Sequence, residues 1–118
     1  MNKIHITYEN LLGHKVRIVD EEYFVLHDIM VILERTREQS SWSGAKRKIL
    51  KNMAYDPTFE LIQKSIPVVR NDNIKSLSDV YVIHRSRMKE ILYILKPTVQ
   101  SKNYINRLNI WKQLYELF

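Results

Sequence analysis

Cysteine is missing from this sequence, which excludes disulfides, cysteine-based zinc centres and iron–sulfur clusters and makes a reducing compartment the expected setting. Glycine occurs twice and proline three times, so turn punctuation is sparse and long stretches are expected to be regular structure rather than linker. Two glycines cannot furnish a P-loop, a GxGxxG turn or a GxSxG elbow, and none of these motifs is present. The four histidines are scattered, without an HExxH pairing, and the acids are too dispersed to nominate a two-metal site. No enzyme, no metal and no cofactor is therefore expected. No apolar run approaches the ~18 to 20 residues that span a bilayer, and the first residues lack a signal-peptide core, so a soluble cytoplasmic protein fits best.

What is present is a chain of 118 residues, 45% hydrophobic, enough to bury the core of one globular domain spanning 1–118. Nineteen Lys and Arg against thirteen Asp and Glu leave a net charge of +6, which favours polyanionic partners through counterion release and long-range steering.

Residues His14 to Val19 alternate polar and apolar, Asp20-Glu21-Glu22 interrupts, and Tyr23 to Leu26 resumes with aromatic and branched side chains; this predicts a β-hairpin. Its turn has no glycine, which argues against the tight primed type. A short strand over Ile4 to Tyr8 is expected beside it. Glu60 to Arg70 reads as extended, with Pro67 pushing it toward a strand edge or a bulge, and Asn71-Asp72-Asn73 as a turn into a returning strand over Ile74 to Leu77. Asp79 to Ile83 is ambiguous between strand and helix.

Helical spacing appears four times. Ile29, Ile32 and Leu33 mark a short helix from Asp28, ending near Arg35 to Glu38, with Asp28 favourably placed at its positive end. Ser40 and Ser41 offer N-cap oxygens for a second helix beginning near Trp42. Met88, Ile91, Leu92, Ile94 and Leu95 outline a third, terminated by Pro97. In the last, over 101–118, Tyr104, Leu108, Trp111, Tyr115 and Phe118 form one stripe. The stripe either docks on the domain's own core or makes a homodimer seam. The expected fold is a small α+β domain in which two β-hairpins form an antiparallel sheet packed with four or five short helices.

The second helix carries the functional signal. At about 100° per residue, Trp42, Ala45, Ile49, Leu50 and Met53 gather on one side while Arg47, Lys48 and Lys51 point to the other, and Lys46 flanks the apolar side and can snorkel outward. An anion at the first turn would meet the N–H groups of Ser43, Gly44 and Ala45, and Gly44 would let a phosphate approach closely. The lysines suit phosphates, and Arg37 or Arg47 could read a guanine edge. The candidate nucleic-acid residues are thus Arg37, Ser43, Lys46, Arg47, Lys48 and Lys51; the plainer alternative is a solvated basic face. Trp42 and Trp111 both lie on apolar stripes, which favours core packing over base stacking.

The order of Tyr23-Phe24-Val25-Leu26-His27-Asp28-Ile29, Trp42-Ser43-Gly44-Ala45-Lys46-Arg47-Lys48, Leu77-Ser78-Asp79-Val80 and Ile110-Trp111-Lys112-Gln113-Leu114 resembles the Bro-N domain of phage and prophage antirepressors and baculovirus repeated-ORF proteins. The likeness covers roughly residues 14–116. It implies an α+β domain associated with DNA binding, with Lys46, Arg47 and Lys48 as a DNA contact, acting in a bacterial cytoplasm or an infected cell. Two departures stand out: Asp20-Glu21 occupies a turn where glycine is common, and a second, variable domain would be missing after the final helix. The resulting expectation is a DNA-binding, antirepressor-like transcription regulator on duplex DNA. The alternative is a protein-protein inhibitor that binds a repressor or another acidic protein through the same basic face.

Overall fold

The antiparallel sheet begins where the polar–apolar alternation begins. In the computed structural model, which describes residues 4–33, 39–69 and 75–118, β1 (Ile6–Leu11), β2 (His14–Val19) and β3 (Tyr23–Val25) form a meander. Leu12 and Gly13 join β1 to β2, both at positive φ, and Asn10 Oδ1 accepts the Gly13 N–H at 3.0 Å. The β2–β3 turn corrects an expectation: Asp20 (φ 52°) and Glu21 (φ 65°) are both left-handed and the Glu22 N–H reaches Val19 O, the signature of a primed turn without glycine. Asp20 makes this tolerable because a short polar side chain can bond locally. Its N–H donates to His5 O at 2.8 Å, and its carboxylate accepts the His5 N–H at 3.2 Å.

β4 (Ile62–Val69) and β5 (Lys75–His84) form a long antiparallel ribbon, and β5 also pairs with β3, giving the order β1-β2-β3-β5-β4. Pro67, which has no N–H to donate, lies on the edge strand as its chemistry requires. The ambiguous segment Asp79 to Ile83 is strand, because Asp79 to Val82 pair with Ser65 to Ile62 of β4 while Val82 and Ile83 pair with Val25 and Phe24 of β3. The Asn71-Asp72-Asn73 turn lies outside the described residues, as does the predicted end of the first helix over Arg35 to Glu38.

Among the described residues four helices pack with this sheet: α1 (Leu26–Ile32), α2 (Gln39–Asn52), α3 (Met88–Ile94) and α4 (Tyr104–Glu116). A single 3-10 turn, Arg85–Arg87, leads into α3, and the ring of His84 caps it by accepting the Ser86 N–H at 3.1 Å. The helices cover the sheet face that carries Val16, Ile18, Phe24 and Ile83, and their own buried residues, among them Ile29, Ile49, Met88 and Leu92, complete the main core. Val19, Val25, Ile66 and Val82 form a smaller apolar cluster of their own; the pairing register puts them on the opposite face of the pleat. The α+β architecture expected from the sequence is the one observed.

The stripe on α4 faces this core. Trp111 is buried and its Nε1–H donates to Leu92 O at 2.6 Å, Tyr115 stacks on it at 4.9 Å between centroids, and Phe118 meets Phe24 edge-on at 5.1 Å. Leu108 packs beside them, and Tyr104 is half-buried at the start of the helix. Of the two destinations open to the stripe, Leu108, Trp111, Tyr115 and Phe118 take the internal one.

Candidate nucleic-acid interface

The basic helix α2 is fixed by a narrower apolar edge than its sequence suggests. Ala45, Ile49 and Met53 are buried, at the four-residue spacing that repeats along one side of a helix. Leu50, expected on the same side, is 44% exposed and sits among the cations instead. The backbone is helical from Gln39, so Ser40 and Ser41 lie within the helix rather than capping it. Ser43, Gly44 and Ala45 consequently lie past the first turn, where N–H groups bond to carbonyls of the helix itself, and the expected anion seat on them is not formed. The side chains of Trp42 and Ser43, and Arg37 altogether, lie outside the described residues.

The remaining nominated cations divide. Lys46 does not snorkel to solvent: its Nζ lies 4.5 Å from the ring centroid of Tyr81 and donates to the phenol oxygen at 2.5 Å, tying α2 to β5. A lysine held this way is half-buried and poorly placed to reach a phosphate. Arg47 and Lys51 are exposed, and Lys48 is half-buried at the margin of a groove. Among the described residues the ion pairs use Arg17, Lys64, His84, Arg85 and Arg87, and Arg47, Lys48 and Lys51 have no carboxylate partner.

α2 packs against α3, and two abutting clefts of about 420 and 340 Å³ run along that contact. Asn52, Tyr93 and Ile94 line both. Lys89, Glu90 and Tyr55 add to the larger, and Lys48 and Lys96 to the smaller. Tyr55 is 74% exposed and Tyr93 67%. The acid in this set, Glu90, is already engaged by Arg87 at 3.3 Å. The sequence marks Lys89 and Tyr93 only by the four-residue step that places them on one side of α3, and Lys96 lies just past the end of that helix, so no local pattern joins the three.

Arg87 anchors the far end of the region. Its Nη2 pairs with Asp56, whose carboxylate also accepts the Thr58 hydroxyl at 2.5 Å and the Thr58 N–H at 2.9 Å. The Thr58 hydroxyl first, then the Arg87 guanidinium, push the Asp56 carboxyl down to about 2 from an ordinary 3.8.

Elsewhere, His84 Nδ1 stands 2.8 Å from Ser86 Oγ and its Nε2 3.5 Å from Glu22. The chain of contacts looks like a nucleophile with its base, but Nδ1 also takes the Ser86 N–H, so the ring serves to start the 3-10 turn. Among the described residues no group of three or more His, Asp or Glu could hold a metal ion, and no helix is long and apolar enough to cross a membrane. Compared with known proteins, the chain matches no family model, no curated protein and no solved structure.

Proposed function

We propose that this chain is a non-enzymatic DNA-binding regulatory domain that grips the phosphate backbone of duplex DNA with the cations of α2. The observation that carries the reading is the division of that helix: Ala45, Ile49 and Met53 bury one edge while Arg47, Lys48 and Lys51 stand without carboxylate partners among the described residues. Cations left unpaired on a rigid element are what a polyanion can use without first breaking an ion pair, and the net charge of +6 adds steering. The resemblance to the Bro-N domain adds antirepressor-like control of transcription in a phage, prophage or virus, with a cytoplasmic setting.

The test is a titration of duplex DNA across ionic strength. An Arg47→Ala/Lys48→Ala/Lys51→Ala variant should bind more weakly and with a flatter slope of log K against log salt, by about 0.9 for each phosphate that is no longer neutralised. An unchanged slope rejects the assignment.

A second reading has its own observation. Leu50, exposed between Arg47 and Lys51, offers an apolar anchor inside a basic rim, which suits an acidic protein such as a repressor. Retention of a protein partner after nuclease treatment, with no measurable DNA binding, would favour it.

A further inference from the structure

We propose that the α2–α3 groove seats an unpaired stretch of DNA, with one base stacked on Tyr93 and the flanking phosphates on Lys48 and Lys96 to one side and Lys89 to the other. The proposal rests on the DNA-binding reading of α2 and adds to it the state of the strand and the residue that senses it.

Tyr93 stands with Asn52 and Ile94 in the wall shared by the two clefts, and the residue is 67% exposed. Among the described residues the smaller cleft carries two lysines and no acid in its lining, and the larger carries Lys89 beside a Glu90 already held by Arg87. Cations therefore flank an open aromatic face on both sides, which is the pattern that tracks a single strand: a basic groove for the backbone and a ring for a base. The lysines are also partly oriented, since Lys96 Nζ lies 5.3 Å from the Trp111 centroid and Lys89 Nζ 5.1 Å from that of Tyr115. Asn52, lining both clefts, gives one amide hydrogen to Lys48 O at 2.7 Å and keeps its amide oxygen and second hydrogen for a base edge.

Duplex DNA cannot use this arrangement. In a duplex each base is covered on both faces by its neighbours, so a tyrosine ring has no face to stack on, and only phosphates, sugars and base edges in the grooves can be reached. A strand with unpaired bases gains the stacking contact without first breaking a pair. The groove thus distinguishes strand states, while the exposed edge of α2 does not.

The experiment uses a short thymidine-rich single strand carrying one 2-aminopurine, and the duplex of the same sequence. Tyr93→Ala should weaken single-strand binding by roughly five- to a hundredfold and abolish the quenching of 2-aminopurine, and should leave duplex affinity unchanged. Tyr93→Phe, which keeps the ring, should behave as the parent chain. Because Tyr93 is largely exposed, both variants should melt as the parent does. Single-strand affinity and quenching unaltered by Tyr93→Ala would overturn the proposal. Duplex bound with a steep salt slope and single strand not bound would also overturn it while leaving the α2 reading in place. Single strand bound and dependent on Tyr93, with duplex unbound, would uphold the groove and remove the duplex reading.

Discussion

Asp28 closes on Arg17 from three directions: it accepts the Arg17 backbone N–H at 2.9 Å and the side chain's Nε and Nη2 at 2.9 and 2.8 Å. A residue in the first turn of α1 thereby fixes both the backbone and the side chain of the middle of β2. The forked geometry matches guanidinium to carboxylate, and the Asp28 hydrogen bonds raise the Arg17 pKa above its ordinary value. Asp28→Ala is expected to cost about 2 kcal/mol, in the range for hydrogen bonds to charged groups. Urea denaturation would show it as a lower midpoint at unchanged slope. A loss under about half a kcal/mol, the usual span for surface changes, would mean the pair is merely decorative.

The depressed pKa of Asp56 makes a signed prediction about acid. A carboxyl at about 2 in the folded chain and 3.8 in the unfolded one adds stability that is fully present above pH 4, and this contribution is lost as the pH falls through about 2. Thermal melts of the parent chain and Asp56→Asn should differ at pH 6 and converge between pH 4 and 2. A gap that stays constant across that interval would contradict the assignment.

Gly44 lies in the interior of α2, exposed, and a Cβ built there meets nothing within 4 Å. Gly44→Ala should therefore stabilise the protein by roughly 0.5 to 1 kcal/mol, the helix-propensity difference. Since the N–H groups around it sit past the first turn of the helix, DNA affinity should not change. A more stable protein that binds DNA less well would show that a phosphate does approach this backbone closely.

Local chemistry was readable where one residue decides the matter. Pro67 announced an edge strand or a bulge and lies on the edge, and the four- and three-residue steps of the α4 stripe announced one helical side, now seen to bury Trp111 in the core and pack Phe118 against it. The start of α2 was not readable, because serine is a good cap and also a tolerated interior residue, and Ser40 and Ser41 are used in the second way. Asp20 and Glu21 show the same difficulty, as a left-handed pair held in place by the His5 backbone rather than by glycine. The fate of Lys46 depends on Tyr81, a partner 35 residues away, which no local pattern reports. Asp79 to Ile83 likewise became strand through its partners, Ile62 to Ser65 on one side and Phe24 and Val25, from the other half of the chain, on the other.

That last pairing has a wider consequence. Tyr23 meets His84 across the β3–β5 junction, so the sheet is complete only after a long intervening segment, α2 included, has been looped back on itself. Such closure is entropically uphill until the strands zip, and it makes folding depend on distant contacts. The two walls of the cationic groove come from opposite sides of this junction, α2 before β5 and α3 after it. Until that junction closes, the two walls are not held together, so the proposed strand discrimination would belong to the closed sheet and not to the basic helix by itself.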